Sequence, residues 1–198
     1  HHPIAPSMPF HAGDLEHTAY DPDEAKFHLK EAGLDGLDLS LHVSDGLYPG
    51  AVDGVTIYRE NLAQAGINLE VSREPTDGYF SNVWMKKPFV ASYWGARPTA
   101  DIMFSTGYSS SAKWNESSWH NETFDKLLEA ARVELDQGKR AEMYHDMQAM
   151  VRDEGGTVVP MFADNVFAAN TKIGHPEAMS GAWELDGGRS IERWWINS

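Results

Sequence analysis

Apolar and polar residues alternate over 37–43, with Leu37, Leu39, Leu41 and Val43 falling on one side. That period-two pattern is the mark of a half-buried strand. Upstream, Asp21-Pro22-Asp23-Glu24 opens a helix: Asp21 caps, Pro22 suits the first turn, and the acids suit the positive end of the helix dipole. This helix runs through Ala25, Leu29 and Ala32 and stops at Gly33. Val52, Val55, Tyr58, Leu62 and Ala65 repeat with helical spacing and end at Gly66, and Ile67–Val71 reads as the next strand. A strand, a helix and a strand at this spacing predict a parallel β-α-β unit. A short helix near residues 79–85 leads into Phe89–Trp94, an apolar, β-branched and aromatic run that reads as a buried strand closed by Gly95 and Pro98. Two amphipathic helices follow over 121–135 and 138–154. Phe124, Leu127, Leu128, Ala131 and Leu135 form one stripe, and Met143, Met147, Met150 and Val151 form the other. The methionine spacing is that of core packing, not of a metal or cofactor site. Gly155-Gly156 ends the second helix, and Thr157–Phe162 reads as a further strand. The expected architecture is α/β: one lobe from residue 20 to 198, helices flanking a mixed central sheet, preceded by an extended Pro-rich lead-in over residues 1–19.

Composition narrows the function classes. The chain of 198 residues carries 30 acidic against 16 basic residues, a formal net charge of −14. Such a surface repels nucleic acid and anionic lipid. Hydrophobic residues at 41% are too many for a disordered chain. No apolar run approaches the roughly 20 residues that span a bilayer, so membrane insertion is not expected. The chain opens His1-His2-Pro3 without a basic n-region or apolar h-region, which reads as a processed protein or a piece cut from a longer one. The absence of cysteine excludes disulfides, thiolate nucleophiles and Cys-ligated zinc.

Candidate chemistry concentrates where the Phe89–Trp94 strand ends. Tyr93 and Trp94 sit there with a single guanidinium, Arg97, and in α/β domains the carboxyl ends of strands hold ligands. Aromatic walls bury apolar surface, and one Arg binds an anion through two parallel hydrogen bonds. The same residues also read as a core Trp beside a surface Arg. Asp101 either contributes a carboxylate or caps the turn after Pro98. Trp114, Asn115 and Trp119 either complete the wall or pack at a helix entry. G-x-S-x-G, H-E-x-x-H, G-x-x-x-x-G-K-[ST] and G-x-G-x-x-G are all absent. The nine His are scattered, and no pair of carboxylates is spaced for acid–base work. No catalytic residue, metal ligand or cofactor is therefore assigned.

An ordered series of modest motifs carries a family resemblance. Tyr20-Asp-Pro-Asp-Glu-Ala-Lys26 with Leu29-Lys-Glu-Ala-Gly33 resembles the opening of a lobe in the ABC-transporter solute-binding proteins of family 5, the dipeptide, oligopeptide and nickel type. Similarity continues through Tyr58–Ile67, Tyr93-Trp94, Trp119–Leu128, the Arg140, Tyr144 and Gln148 of an R-x-x-x-Y-x-x-x-Q pattern, and Val159-Pro160-Met-Phe162. The resemblance implies the C-terminal ligand-binding lobe of a periplasmic-binding-protein-like (type II) fold, and hence a fragment lacking its N-terminal lobe. It also implies a small-molecule or short-peptide ligand, a cognate ABC permease, and a periplasmic location, or an extracellular lipid-anchored one in a single-membrane bacterium. In peptide-taking members a G-W-x-x-D segment supplies an Asp for the ligand's ammonium. Trp94 matches that Trp, and Arg97 stands at the Asp position, which reverses the charge offered and favours an anionic, peptide- or opine-like or other small polar solute.

Two further classes compete with a transport receptor: an enzyme domain of unrecognised type, and a peptide sensor or chaperone-like receptor on the same fold. A closed pocket with a convergent acid–base pair would favour the enzyme.

Overall fold

The computed structural model describes residues 2–197, which fall into two compact units. One is Thr18–Trp94; the other takes in the described chain on either side of it.

In the first unit, α1 (Pro22–Glu31) starts as its sequence dictates. The Asp21 carboxylate accepts from the backbone N–H of Asp23 at 3.0 Å and of Glu24 at 2.9 Å. β1 (Leu37–Val43) and β2 (Ile67–Arg73) pair in parallel from Leu37↔Ile67 to Val43↔Arg73, joined by α2 (Ala51–Gln64). Leu41, Val43 and Leu69 bury one face of the pair among Val55 and Ala51 of α2 and Tyr79 and Val83 beyond β2. The expected β-α-β unit is therefore present, with β2 two residues longer than its apolar pattern suggests. Val90 adds a parallel bridge to His42: the His42 N–H donates to Phe89 O at 3.1 Å and Ala91 N–H donates to His42 O at 2.8 Å. The Phe89 run is thus extended and joined to the sheet at its start only, before Ser92–Trp94 leave it.

The second unit is mainly helical: α4 (Ala100–Gly107), α5 (Glu122–Val133) and α6 (Gln137–Glu154), numbered after the single turn α3 (Tyr79–Asn82) of the first unit. Asn121 caps α5 and Asp136 caps α6 through side-chain oxygens. Phe104, Phe124, Leu128, Ala131, Tyr144, Met147 and Val151 are buried. The α6 stripe differs from the methionine-based one: Tyr144 and Gln148 take the inward places, whereas Met143 and Met150 are half-buried. Residues 2–17 form no helix or strand, yet Ile4 and Ala12 are buried in this unit. Gln148 explains why. Its amide oxygen accepts from the Ala12 N–H at 2.9 Å, and its amide nitrogen donates to Phe10 O at 2.7 Å and Tyr144 O at 2.8 Å.

The α/β class and the helices flanking the strands are as expected; the single central sheet is not. A second, antiparallel pair, β3 (Ile173–Gly174) and β4 (Trp195–Ile196), is separate from the first. Thr157–Phe162 is not a strand. Among the described residues, no backbone hydrogen bond involves residues 158–169, and Val158, Met161, Phe162 and Val166 are exposed. A strand is defined by its partner, and this apolar segment has none here.

Candidate functional site

The strand ends of the Thr18–Trp94 unit carry one group of polar and aromatic side chains. His42 Nδ1 lies 2.6 Å from Glu74 Oε1, both half-buried, on the sheet face opposite Leu41 and Val43. The Tyr79 hydroxyl reaches two strands at once, 2.9 Å from His42 O and 2.7 Å from Ala91 O. Beside it stands Phe80, whose ring packs edge to face on Tyr79, Trp84 and Tyr93. Tyr93 is exposed and Trp94 is half-buried. Phe80, Trp84 and the His42–Glu74 pair escape sequence reasoning. The only local signal is the aromatic pair at i and i+4 in a segment too short to show a periodic face.

The remaining predicted residues belong to the other unit. Arg97 is half-buried on the turn before α4, and its Nη1 donates to Gly95 O at 2.8 Å. That bond folds the side chain back over Gly95, where a Cβ would stand 3.6 Å from Nη1. Thr99, not Asp101, caps α4, its hydroxyl accepting from the Ile102 N–H at 3.2 Å. The expected turn cap at Asp101 is therefore corrected. A β-hydroxyl one residue before the helix meets the first free N–H groups, whereas Asp101 already lies inside the first turn. Its carboxylate instead accepts from Arg132 Nε at 2.7 Å, tying α4 to α5, and this bond holds the Arg132 guanidinium above its ordinary pKa.

The loop between α4 and α5 is closed by Asn115. This buried side chain donates to Trp119 O at 2.6 Å and Ser109 O at 3.3 Å, and accepts from the Ser117 hydroxyl at 3.2 Å. Trp119 packs on Phe124 at the start of α5, with ring centroids 5.0 Å apart. Trp114 is exposed on the same loop. Asn115 and Trp119 thus do the helix-entry packing that sequence allows for, and Asn115 has little amide capacity left for a ligand. Nearby Tyr108 is buried, which drives its phenol well above the ordinary range, with Glu116 adding to the shift.

Two open depressions indent the second unit. One, of about 590 Å³, is lined by Asn165, Trp183, Glu184, Leu185, Gly188 and Ser190. The other, of about 360 Å³, lies between Phe10–Asp14 and Ala141–Asp146. Among the described residues, no three His, Asp or Glu side chains are grouped to hold a metal, and no helix is long and apolar enough to cross a membrane.

Comparison with known proteins adds the family. A model described as "Bacterial extracellular solute-binding proteins, family 5 Middle" matches residues 1–116. The dipeptide-binding protein of Escherichia coli K12 is 27% identical over 171 residues, covering 79% of this chain and 31% of that protein. Among solved structures, the ABC transporter-associated periplasmic binding protein DppA of Helicobacter pylori, in complex with the peptide STSA, superposes with a TM-score of 0.68 at 21% identity over 78% of this chain. NikZ of Campylobacter jejuni, in complex with Ni(L-His), gives 0.67 at 21% identity over the same share. These likenesses show a periplasmic-binding-protein fold. The chain spans 31% and 34% of those two structures' lengths, about a third of each relative.

Proposed function

This chain belongs to the bacterial extracellular solute-binding proteins of family 5, and from that premise we propose that it is a solute-capturing part of an ABC importer's receptor. The match over residues 1–116 carries this reading. The segment 158–169 supports it: exposed apolar side chains on a backbone without hydrogen-bond partners among the described residues suit a chain whose remaining partners lie in the rest of a longer receptor. The receptor works outside the cytoplasmic membrane, periplasmic or extracellular, hands its solute to a cognate permease, and performs no covalent chemistry on it.

Arg97 sets the sign of the solute. A guanidinium half-withdrawn from water keeps its charge, and its planar fork has the geometry that fits a carboxylate. The solute class is therefore small, polar and anionic, peptide- or opine-like, with its acid and not its ammonium at Arg97. Calorimetry with N-acetyl-dialanine, which keeps the carboxylate, and dialanine amide, which keeps the ammonium, tests this. The acetylated compound should bind more tightly, and Arg97→Ala should weaken it by about 1.5–3 kcal/mol, the worth of a hydrogen bond to a charged group. Tighter binding of the amide, or no effect of the substitution, would refute the assignment.

A further inference from the structure

Phe80 and Tyr93 make a corner. Their ring centroids lie 5.9 Å apart with planes at 80°, and the two residues are 46% and 53% exposed. The corner is held from behind. Phe80 also packs edge to face on Trp84, at 5.9 Å and 70°, and on Tyr79, at 5.7 Å and 81°. Tyr79 is buried, with its hydroxyl on the carbonyls of His42 and Ala91, so Phe80 is tied through it to the end of β1, and Tyr93 follows two residues after Ala91 on the segment that leaves the sheet. Two exposed rings at near right angles leave room for a third that stacks on one and meets the edge of the other. We propose that Phe80 and Tyr93 form a subsite for an aromatic ring carried by the solute. The occupant is a small molecule and not a protein: two half-exposed rings offer roughly 200 Å², far below the roughly 800 Å² per partner of a stable protein interface. The strand-end location is where α/β units hold ligands. This assignment rests on the reading of the chain as a solute receptor.

Saturation-transfer NMR on the full chain tests it with N-acetyl-phenylalanine, N-acetyl-leucine and N-acetyl-glycine, which share one carboxylate and differ only in side chain. The phenylalanine probe should bind about three- to tenfold more tightly than the glycine probe, the range of an aromatic pair, and more tightly than the leucine probe. Phe80→Leu and Tyr93→Leu should each erase most of that margin and weaken N-acetyl-phenylalanine more than N-acetyl-glycine; both side chains are exposed enough for leucine to be accommodated with an unaltered circular dichroism spectrum. Equal binding of the three probes would overturn the ring subsite and leave the receptor reading standing. A leucine probe as good as phenylalanine, or a phenylalanine advantage that survives both substitutions, would overturn it as well. Binding by none of the probes would remove the subsite together with the reading on which it rests.

Discussion

Gln148→Leu is the substitution with the best-defined cost. The residue is fully buried, and its amide satisfies two groups of the 2–17 segment, the Ala12 N–H at 2.9 Å and the Phe10 carbonyl at 2.7 Å. Leucine keeps most of the volume and the helical preference of α6 but bonds neither group. Each buried backbone group left unsatisfied costs about 1–3 kcal/mol, and Ala12 is buried while Phe10 is half-buried, so the sum is about 2–4 kcal/mol. The Tyr144 carbonyl adds nothing to that sum, because it lies within the ladder of α6. Urea unfolding measures the loss, and hydrogen exchange at the Ala12 amide locates it: protection there should collapse while the centre of α5 keeps its own. Gln148→Glu separates packing from hydrogen bonding. A carboxylate accepts from Ala12 but faces the Phe10 and Tyr144 carbonyls, so its native pKa is raised above the ordinary 4.3 or so. A raised native pKa means that the folded state binds the proton more tightly, and this variant should recover stability as pH falls through that pKa. A Gln148→Leu protein within about 0.5 kcal/mol of the parent, with Ala12 still protected, would refute the reasoning.

Two further outcomes follow from other contacts. His2 is 5% exposed, and burial above all, with His11 and His17 adding positive charge, holds its imidazole down at about 4. Its native pKa is depressed relative to the unfolded chain, so its stability contribution is whole above about pH 6.5 and is lost as pH falls towards 4, up to about 3 kcal/mol in all; His2→Leu should flatten the urea midpoint across that window, and an unchanged slope would count against it. Asp101→Ala removes the 2.7 Å pair with Arg132, and since the two side chains are 29% and 45% exposed the loss should be only about 0.5–1 kcal/mol by thermal melting, with no change in anion binding.

The elements that could be read from the sequence are those whose pattern is local. Asp21 announces its helix because a cap depends on three or four neighbouring residues. The alternation of Leu37–Val43 fixes which face of β1 is buried without knowledge of its partner. Thr157–Phe162 fails for the converse reason: its β-branched and aromatic composition states a preference for pairing, and pairing needs a second strand that the described residues do not provide. The α6 stripe is misread by one position because buried Gln148 looks polar in a pattern of apolar residues, and its partners at Phe10 and Ala12 lie 138 and 136 residues away.

The same physics explains why the family is legible and the ligand is not. Of the R-x-x-x-Y-x-x-x-Q motif, Arg140 donates to the Glu134 carbonyl before α6, Tyr144 stacks between Phe10 and Phe104, and Gln148 holds the 2–17 segment. Each position is constrained in this chain by backbone groups or rings of its own fold, so the motif reports packing and not ligand. In the reading proposed above, ligand choice rests instead on side chains that the fold leaves exposed or half-buried, such as Phe80, Tyr93 and Arg97. Motifs made of structural residues therefore identify the scaffold, and the solute has to be read from the few residues that the scaffold does not dictate.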